Sequence, residues 1–396
     1  VIVRAHITPF DMARMPQLHF GAGRFSRIGT LLSARGYRHV AVVTGGDSLN
    51  RSGNWQRLEA DLGASGISLR RYSVKGEPGP AMVDAAARDL SSFHADAVVA
   101  VGGGSVIDAG KAISAAVFLK GSIANYLEGV GDQKPTGEKL PFLACPTTAG
   151  TGSEATKNAV LSVTAKDGFK KSLRHDNYVP DMVVIDPELA TGCPRHVSAA
   201  SGLDAITQLI ESYVSTKATP VTDVLAESGL QAAGRSFLSV LRDGKDVGAR
   251  GDMAYAAYLS GICLANAGLG VVHGGASTAG AMKPIPHGVF CGTLLTESVR
   301  MTIERLNNAS SGTPALLKYA WAASLLEPGV EAGGAVDAFA LVRVLKQFEQ
   351  ESRVERLSVY GFDDAAISEL ASGTGMKNHP VEFSREEICA LLQSRL

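Results

Sequence analysis

With only 6% aromatic residues and a net charge of −1, the 396-residue chain lacks both the stacking surface and the basic face that nucleic-acid binding requires. Its five cysteines, Cys145, Cys193, Cys263, Cys291 and Cys389, are odd in number and nowhere form C-x-x-C. That excludes a disulfide framework and a paired-thiolate zinc site, and it sets the expectation of a reducing, cytoplasmic compartment. No apolar run reaches transmembrane length, and the opening VIVRAHITPF lacks the apolar core of a signal peptide, so no membrane partner is expected. Neither G-x-G-x-x-G nor a Walker A loop occurs, which removes the two familiar nucleotide fingerprints. Small-molecule chemistry remains, on a chain long enough for two lobes and a cleft.

The first half alternates short β-branched runs with helical stretches. Strands are expected in 39–44, 67–74, 95–101, 140–147 and 181–186, with helices such as 80–93 and 106–119 between them, the pattern of a parallel sheet with crossover helices. Near DPELATGCPRHVS (186–198) proline and glycine punctuate a change. Beyond it Ala- and Leu-rich helical periodicity takes over, as in VTDVLAESGLQAAGRSFLSVL and GDMAYAAYLSGICLANAG. The expected organisation is an α/β dinucleotide-binding domain over 1–192 and an all-α metal and substrate domain over 193–396.

Chemistry gathers in three places. VVAVGGGSVIDAGKA (98–112) runs from a buried strand through Gly102, Gly103, Gly104 and Ser105 into a helix, where open backbone and the helix dipole suit a pyrophosphate; a tight turn without ligand is the plainer reading. CPTTAGTGSEAT (145–156) sets Thr147, Thr148, Thr151 and Ser153 among glycines at the end of another strand, which fits a cofactor crevice or a hydroxyl-rich turn. GLDAITQLIESY (202–213) places Asp204 and Gln208 one helical turn apart on one face, half of a divalent-metal pattern with an amide where an imidazole is wanted.

Together these segments resemble the iron-containing (group III) alcohol dehydrogenase family. FGAGRFSRIG (20–29) is similar to its opening hairpin, GGGSVIDAGKA to its pyrophosphate loop and PTTAGTGSE to its dinucleotide loop, and DPELA, GLDAITQLIESY, GLGVVHG and IPHGVFCG follow in the family's order. The resemblance implies a Rossmann-like N-terminal domain joined to a helical C-terminal one, the architecture shared with dehydroquinate synthases. It also implies NAD(P), a divalent Fe²⁺ or Zn²⁺, hydride transfer in the cleft to an aldehyde or ketone or from an alcohol, and a homodimer. Cofactor contacts would come from Gly45, the 102–105 loop, Asp108, Thr147, Thr148, Thr151, Ser153, Lys170 near the ribose and Leu189.

The metal ligands by resemblance are Asp204, the Gln208 position, His273 and His287, and Ser277 stands where many members carry a further His. A carbonyl-oxygen ligand is a poorer donor than imidazole, so weak or absent metal is expected. If metal is absent, His273 or His287 would polarise the substrate oxygen, helped by Lys157, as in a metal-independent maleylacetate-type reductase. Lys157 as a solvated surface residue is the competing reading. A sugar-phosphate cyclase and a non-catalytic dinucleotide binder stay open as less favoured functions. Gly45, after the first strand where an acid would select NAD, leans the expectation to NADPH, with Asp47 able to substitute.

Overall fold

The computed structural model describes residues 9–163, 168–308, 314–327 and 337–396. The chain divides into two compact units. One comprises Ala13–Thr148 and Gly152–Cys193; the other contains Ala149–Thr151 and Pro194–Leu396.

The first unit is α/β. In chain order its elements are β1 (Gln17–Phe20), α1 (Ile28–Ser33), β2 (His39–Thr44), α2 (Ser48–Arg51), α3 (Asn54–Ala64), β3 (Ser68–Ser73), α4 (Pro80–Phe93), β4 (Ala97–Gly102) and α5 (Gly104–Ala116). There follow β5 (Phe142–Pro146), β6 (Asn158–Val163), β7 (Phe169–Arg174) and β8 (Met182–Ile185). Six strands form one parallel sheet in the order β1-β8-β5-β4-β2-β3, and β6 and β7 pair as a separate antiparallel ribbon.

All five expected strands are present, and β2 and β4 are Val- and Ala-rich and β5 is buried throughout because helices cover both faces of a parallel sheet. The opening segment departs from expectation. It forms no hairpin: β1 lies parallel to β8, and Gly23, at φ 75°, turns the chain into a single 3₁₀ turn over Arg24–Arg27. The ribbon escaped sequence reading because its strands are only half buried, and FKKSLR carries charge on both faces.

From β2 the chain moves outward to β3, then returns to place β4 on the other side of β2 and continues away through β5 and β8. The order therefore reverses between β2 and β4. At such a switch point the following loops diverge and leave a crevice beyond the strands' carboxyl ends.

The second unit is helical: α6 (Arg195–Tyr213), α7 (Pro220–Arg242), α8 (Val247–Ala267), α9 (Val271–Met282), α10 (His287–Asn308), α11 (Pro314–Leu326), α12 (Phe339–Ser352), α13 (Asp364–Gly373) and α14 (Arg385–Gln393). α6 is the axial element, buried on nearly every side from Leu203 to Tyr213 and packed by α7, α8 and α10. α10 comes close to it at Gly292, where an added Cβ would lie 2.8 Å from Leu203 Cδ1. That approach brings the start of α10 against the polar face of α6. Among the described residues no single helix is long and apolar enough to cross a membrane.

Candidate metal centre and cofactor loop

A helix that is buried all round has no solvent for its polar residues, so Asp204, Gln208 and Glu211 on α6 must each find partners inside the protein. They share one face at i, i+4 and i+7. Glu211 receives the backbone N–H of Val272 at 2.8 Å and the Nδ1–H of His273 at 2.7 Å, which clamps the first turn of α9. With Nδ1 committed to Glu211, the His273 Nε2 faces Asp204 Oδ1 at 3.2 Å.

α10 supplies the other donors. His287 opens it, with Nε2 3.5 Å from the same Asp204 oxygen, and its ring lies 5.4 Å from that of His273. Cys291 is one turn further on, its sulfur 3.5 Å from His273 Nε2 and 3.7 Å from His287 Nε2. One atom from each of Asp204, His273, His287 and Cys291 lies within 4.8 Å of all the others. Asp204, His273 and Cys291 are buried, while the His287 side chain retains 32% exposure and marks the open side.

Electrostatics follow from that packing. Burial would raise the Asp204 carboxyl, but the His287 and His273 rings and the Gln208 amide hold it below the usual carboxylate range. Glu211 is likewise held low against burial, chiefly by its bond to His273. Burial opposes charge on His273, yet Cys291, Asp204 and Glu211 together raise it well above an ordinary histidine. Desolvation lifts the Cys291 thiol to about 12. Carboxylate oxygen, two ring nitrogens and sulfur aim lone pairs at one point, an arrangement that calls for a proton or a metal cation. Asp and two neutral imidazoles suit a divalent transition metal, so the residues fit the expected ion.

Gln208 is not one of these donors. Its Oε1 accepts from the Ser260 hydroxyl at 3.0 Å and its amide donates to Asp204. Reversing the amide would set oxygen against carboxylate. Gln208 therefore orients Asp204 as it stands, while Ser277 is exposed one turn beyond His273. Glu211 and Cys291 were missed. Glu211 was visible as the third member of the i, i+4, i+7 face, and Cys291 as the i+4 partner of His287 in HGVFC.

In the α/β unit β4 delivers Gly102 to the start of α5, where Gly103 is the N-cap and no side chain caps the helix. The first-turn N–H groups point out beyond β4, beside the switch point. A Cβ on Gly102 would lie 2.6 Å from Val106, and one on Gly103 would lie 3.3 Å from Thr148 Oγ1, so bare backbone is what lets the loop lie flat. Gly104, Ser105, Thr147 and Thr148 are part-exposed around it, and Gly45 follows β2; Thr151, also part-exposed, falls in the other unit.

Other expected cofactor residues are engaged elsewhere. Asp108 is buried, receiving the Ser153 hydroxyl and the Val160 N–H, so these two side chains tie α5 to its neighbours. Lys170 pairs with Glu77, and Leu189 packs in the apolar cluster with Phe25 and Val184. Lys157 pairs with Asp176 at 2.5 Å on the surface, which favours the competing reading of a surface lysine. Sequence reading also missed Lys111, whose three protons meet the Ser153 carbonyl at 2.8 Å, the Asn158 carbonyl at 2.7 Å and Thr156 Oγ1 at 3.2 Å.

Comparison with known proteins agrees with this geometry. Residues 16–187 match the family described as iron-containing alcohol dehydrogenase, and residues 198–396 match the C-terminal part of the Fe-containing alcohol dehydrogenase family. Alcohol dehydrogenase 4 of Saccharomyces cerevisiae (strain YJM789) is 32% identical over 384 residues, 96% of each chain. The crystal structure of a 1,3-propanediol oxidoreductase superposes with a TM-score of 0.88 at 28% identity, covering 98% of this chain and 100% of the other. The sulfoacetaldehyde reductase of Bifidobacterium kashiwanohense in complex with NAD⁺ does so with 0.85 at 25% identity, covering 98% and 99%. With both halves matched and a full-length relative at this identity, the chain belongs to the iron-containing alcohol dehydrogenase family, and is an oxidoreductase acting on CH–OH groups for which that family implies a nicotinamide cofactor and a divalent metal.

Proposed function

We propose that the enzyme works as a reductase of small aldehydes or ketones, with Asp204, His273 and His287 holding the divalent metal and the 102–105 loop holding the pyrophosphate of NAD(P). The observation that carries this reading is the Asp204 oxygen set 3.2 Å and 3.5 Å from two imidazole nitrogens. When bound, the metal supplies a Lewis acid for the substrate oxygen and the nicotinamide supplies the hydride.

The chain's own residues prepare that chemistry. Glu211 fixes the His273 tautomer by accepting the Nδ1–H hydrogen bond, so that Nε2 offers its lone pair to the site. Gln208 steadies Asp204 without adding charge. The apolar walls of α9 and α10, Val272, Val289 and Phe290 among them, shut water out on the buried side, leaving His287 at the mouth. In the α/β unit, the Gly103 N-cap and the first turn of α5 take the cofactor's negative charge. This division makes 1–192 the dinucleotide-binding part and 193–396 the metal and substrate part.

NADPH is the preferred cofactor in this reading. Gly45 offers no carboxylate at the end of β2, and Asp47 is exposed two residues on. Arg71 on the neighbouring strand donates to Thr44 Oγ1 at 3.1 Å, held flat 3.8 Å above Trp55, which puts a guanidinium beside the switch point where a 2′-phosphate would bind. The cysteines, none of them in a disulfide among the described residues, support the cytoplasm as compartment; a homodimer follows from the family resemblance.

The test is the initial rate of NADPH and NADH oxidation over a panel of small aldehydes and ketones, with chelated protein and protein resupplied with Fe²⁺ or Zn²⁺. Turnover restored only by metal, with a higher kcat/KM for NADPH that Arg71→Ala abolishes, is the expected result. Equal turnover with and without metal would overturn the ligand assignment.

A further inference from the structure

We propose that Cys291 is the fourth protein ligand of the metal, a thiolate standing where the sequence pattern placed Gln208. This rests on the reading that Asp204, His273 and His287 bind a divalent ion.

The donor spacing carries the argument. A tetrahedral ion with bonds of about 2.0 Å to nitrogen and oxygen and about 2.3 Å to sulfur holds its nitrogen and oxygen donors about 3.3 Å apart and its sulfur and nitrogen donors about 3.5 Å apart. In this chain the oxygen-to-nitrogen separations are 3.2 Å and 3.5 Å. The sulfur-to-nitrogen separations are 3.5 Å and 3.7 Å. These four separations each match an edge of such a tetrahedron, and the two remaining donor pairs lie within 4.8 Å.

Helix geometry explains why this cysteine reaches. His287 and Cys291 are four residues apart at the start of α10, so both side chains leave one face, and the close contact at Gly292 presses that face toward Asp204. Gln208 is spoken for by Ser260 and Asp204, so its carbonyl oxygen is turned away from the donors. Of the five cysteines only Cys291 takes part in a clustered donor set among the described residues. On binding, the thiol proton leaves to solvent and the sulfur lone pair forms the metal bond, with no change of oxidation state. A carboxylate, two imidazoles and a thiolate make a softer shell than a carboxylate with three imidazoles, so Zn²⁺ gains on Fe²⁺ as occupant.

The experiment is titration of the metal-free full chain with Co²⁺, read by absorption spectroscopy, and X-ray absorption of the Zn²⁺-loaded protein. Expected are a thiolate-to-cobalt charge-transfer band in the near ultraviolet and a sulfur scatterer about 2.3 Å from zinc. In Cys291→Ser the charge-transfer band disappears while the weaker visible bands of bound Co²⁺ persist at higher Co²⁺ concentration. In Gln208→Ala the charge-transfer band stays. A single cooperative thermal transition in each metal-free variant shows that it folds. Stoichiometric metal with no sulfur scatterer, and equal Co²⁺ affinity in Cys291→Ser, would overturn the thiolate ligand and leave the metal site standing. No bound metal in the parent protein would overturn both.

Discussion

The two units bind their expected partners by opposite means. In the α/β unit the work falls to backbone: glycines that lie flat between β4 and α5, and N–H groups at an uncapped helix start. In the helical unit it falls to side chains, four donors from three helices converging within 4.8 Å and braced by Glu211 and Gln208. A backbone site depends on a contiguous run of sequence and tolerates change in the residues around it. A side-chain site depends on how helices far apart in sequence are set against one another.

The contrast predicts a descending series of effects. Asp204→Ala removes the one anion both imidazoles address, and kcat/KM should fall by about 10³-fold or more, with metal lost from the purified protein by elemental analysis. Activity within tenfold of the parent after metal loss would break the comparison outright.

In the α/β unit the large side-chain effect should be structural instead. Lys111→Met leaves two carbonyls and a hydroxyl without their donor and takes the cation from beside Asp108 and Glu154. Burial already lowers the lysine to about 8, and its removal should cost about 3–5 kcal/mol in denaturant unfolding. A cost below about 1 kcal/mol would show that this network is dispensable.

His379, buried in the helical unit with Nε2 on Thr302 Oγ1 at 2.9 Å, tests the pH behaviour of side-chain burial. Desolvation lowers it to about 4 from an ordinary 6.5. Between those values the unfolded chain binds more protons than the folded one. The stability it contributes is therefore fully present above pH 6.5 and is lost as the pH falls toward 4, about 3 kcal/mol in all. Unfolding free energies of the parent and His379→Gln across pH 7 to 4 should converge by that amount; parallel curves would refute the assignment.

Glu211→Gln keeps the size of the clamp on His273 but removes its charge. Metal affinity should drop roughly 10- to 100-fold, measured by competition with a chromophoric chelator, with unchanged cofactor binding. Smallest of all, Gly103→Ala adds a Cβ 3.3 Å from Thr148 Oγ1 and should raise the KM for cofactor by roughly two- to tenfold while leaving metal content intact. A change in metal content would blur the division between the two sites.

Much of the α/β unit is legible in the sequence. VVAVGGGSVIDAGKA reads as strand, turn and helix because period, glycine and helix start are all local properties. The ribbon of β6 and β7 is not legible, since both strands are only half buried and β7 carries charge on both faces. The uses of Asp108, Ser153, Lys157 and Lys170 are hidden for another reason. A polar residue in a glycine-rich loop or on a strand can face a ligand or a neighbour, and only packing chooses; here Asp108 and Ser153 turn to each other, and the lysines to Asp176 and Glu77.

Sequence alone determined that this chain is a parallel α/β unit followed by a helical one, that a glycine turn into a helix follows β4, and that Asp204, His273 and His287 stand in the order of one family's motifs, because each follows from short-range periodicity or from the order of motifs along the chain. Tertiary structure decided which atoms meet. The packing of α10 against both α6, close at Gly292, and α9 brings Cys291 within 3.5 Å of His273, and the Ser260 hydroxyl holds the Gln208 carbonyl oxygen. Those contacts join residues 18 and 52 positions apart, and no local pattern encodes a distance between helices.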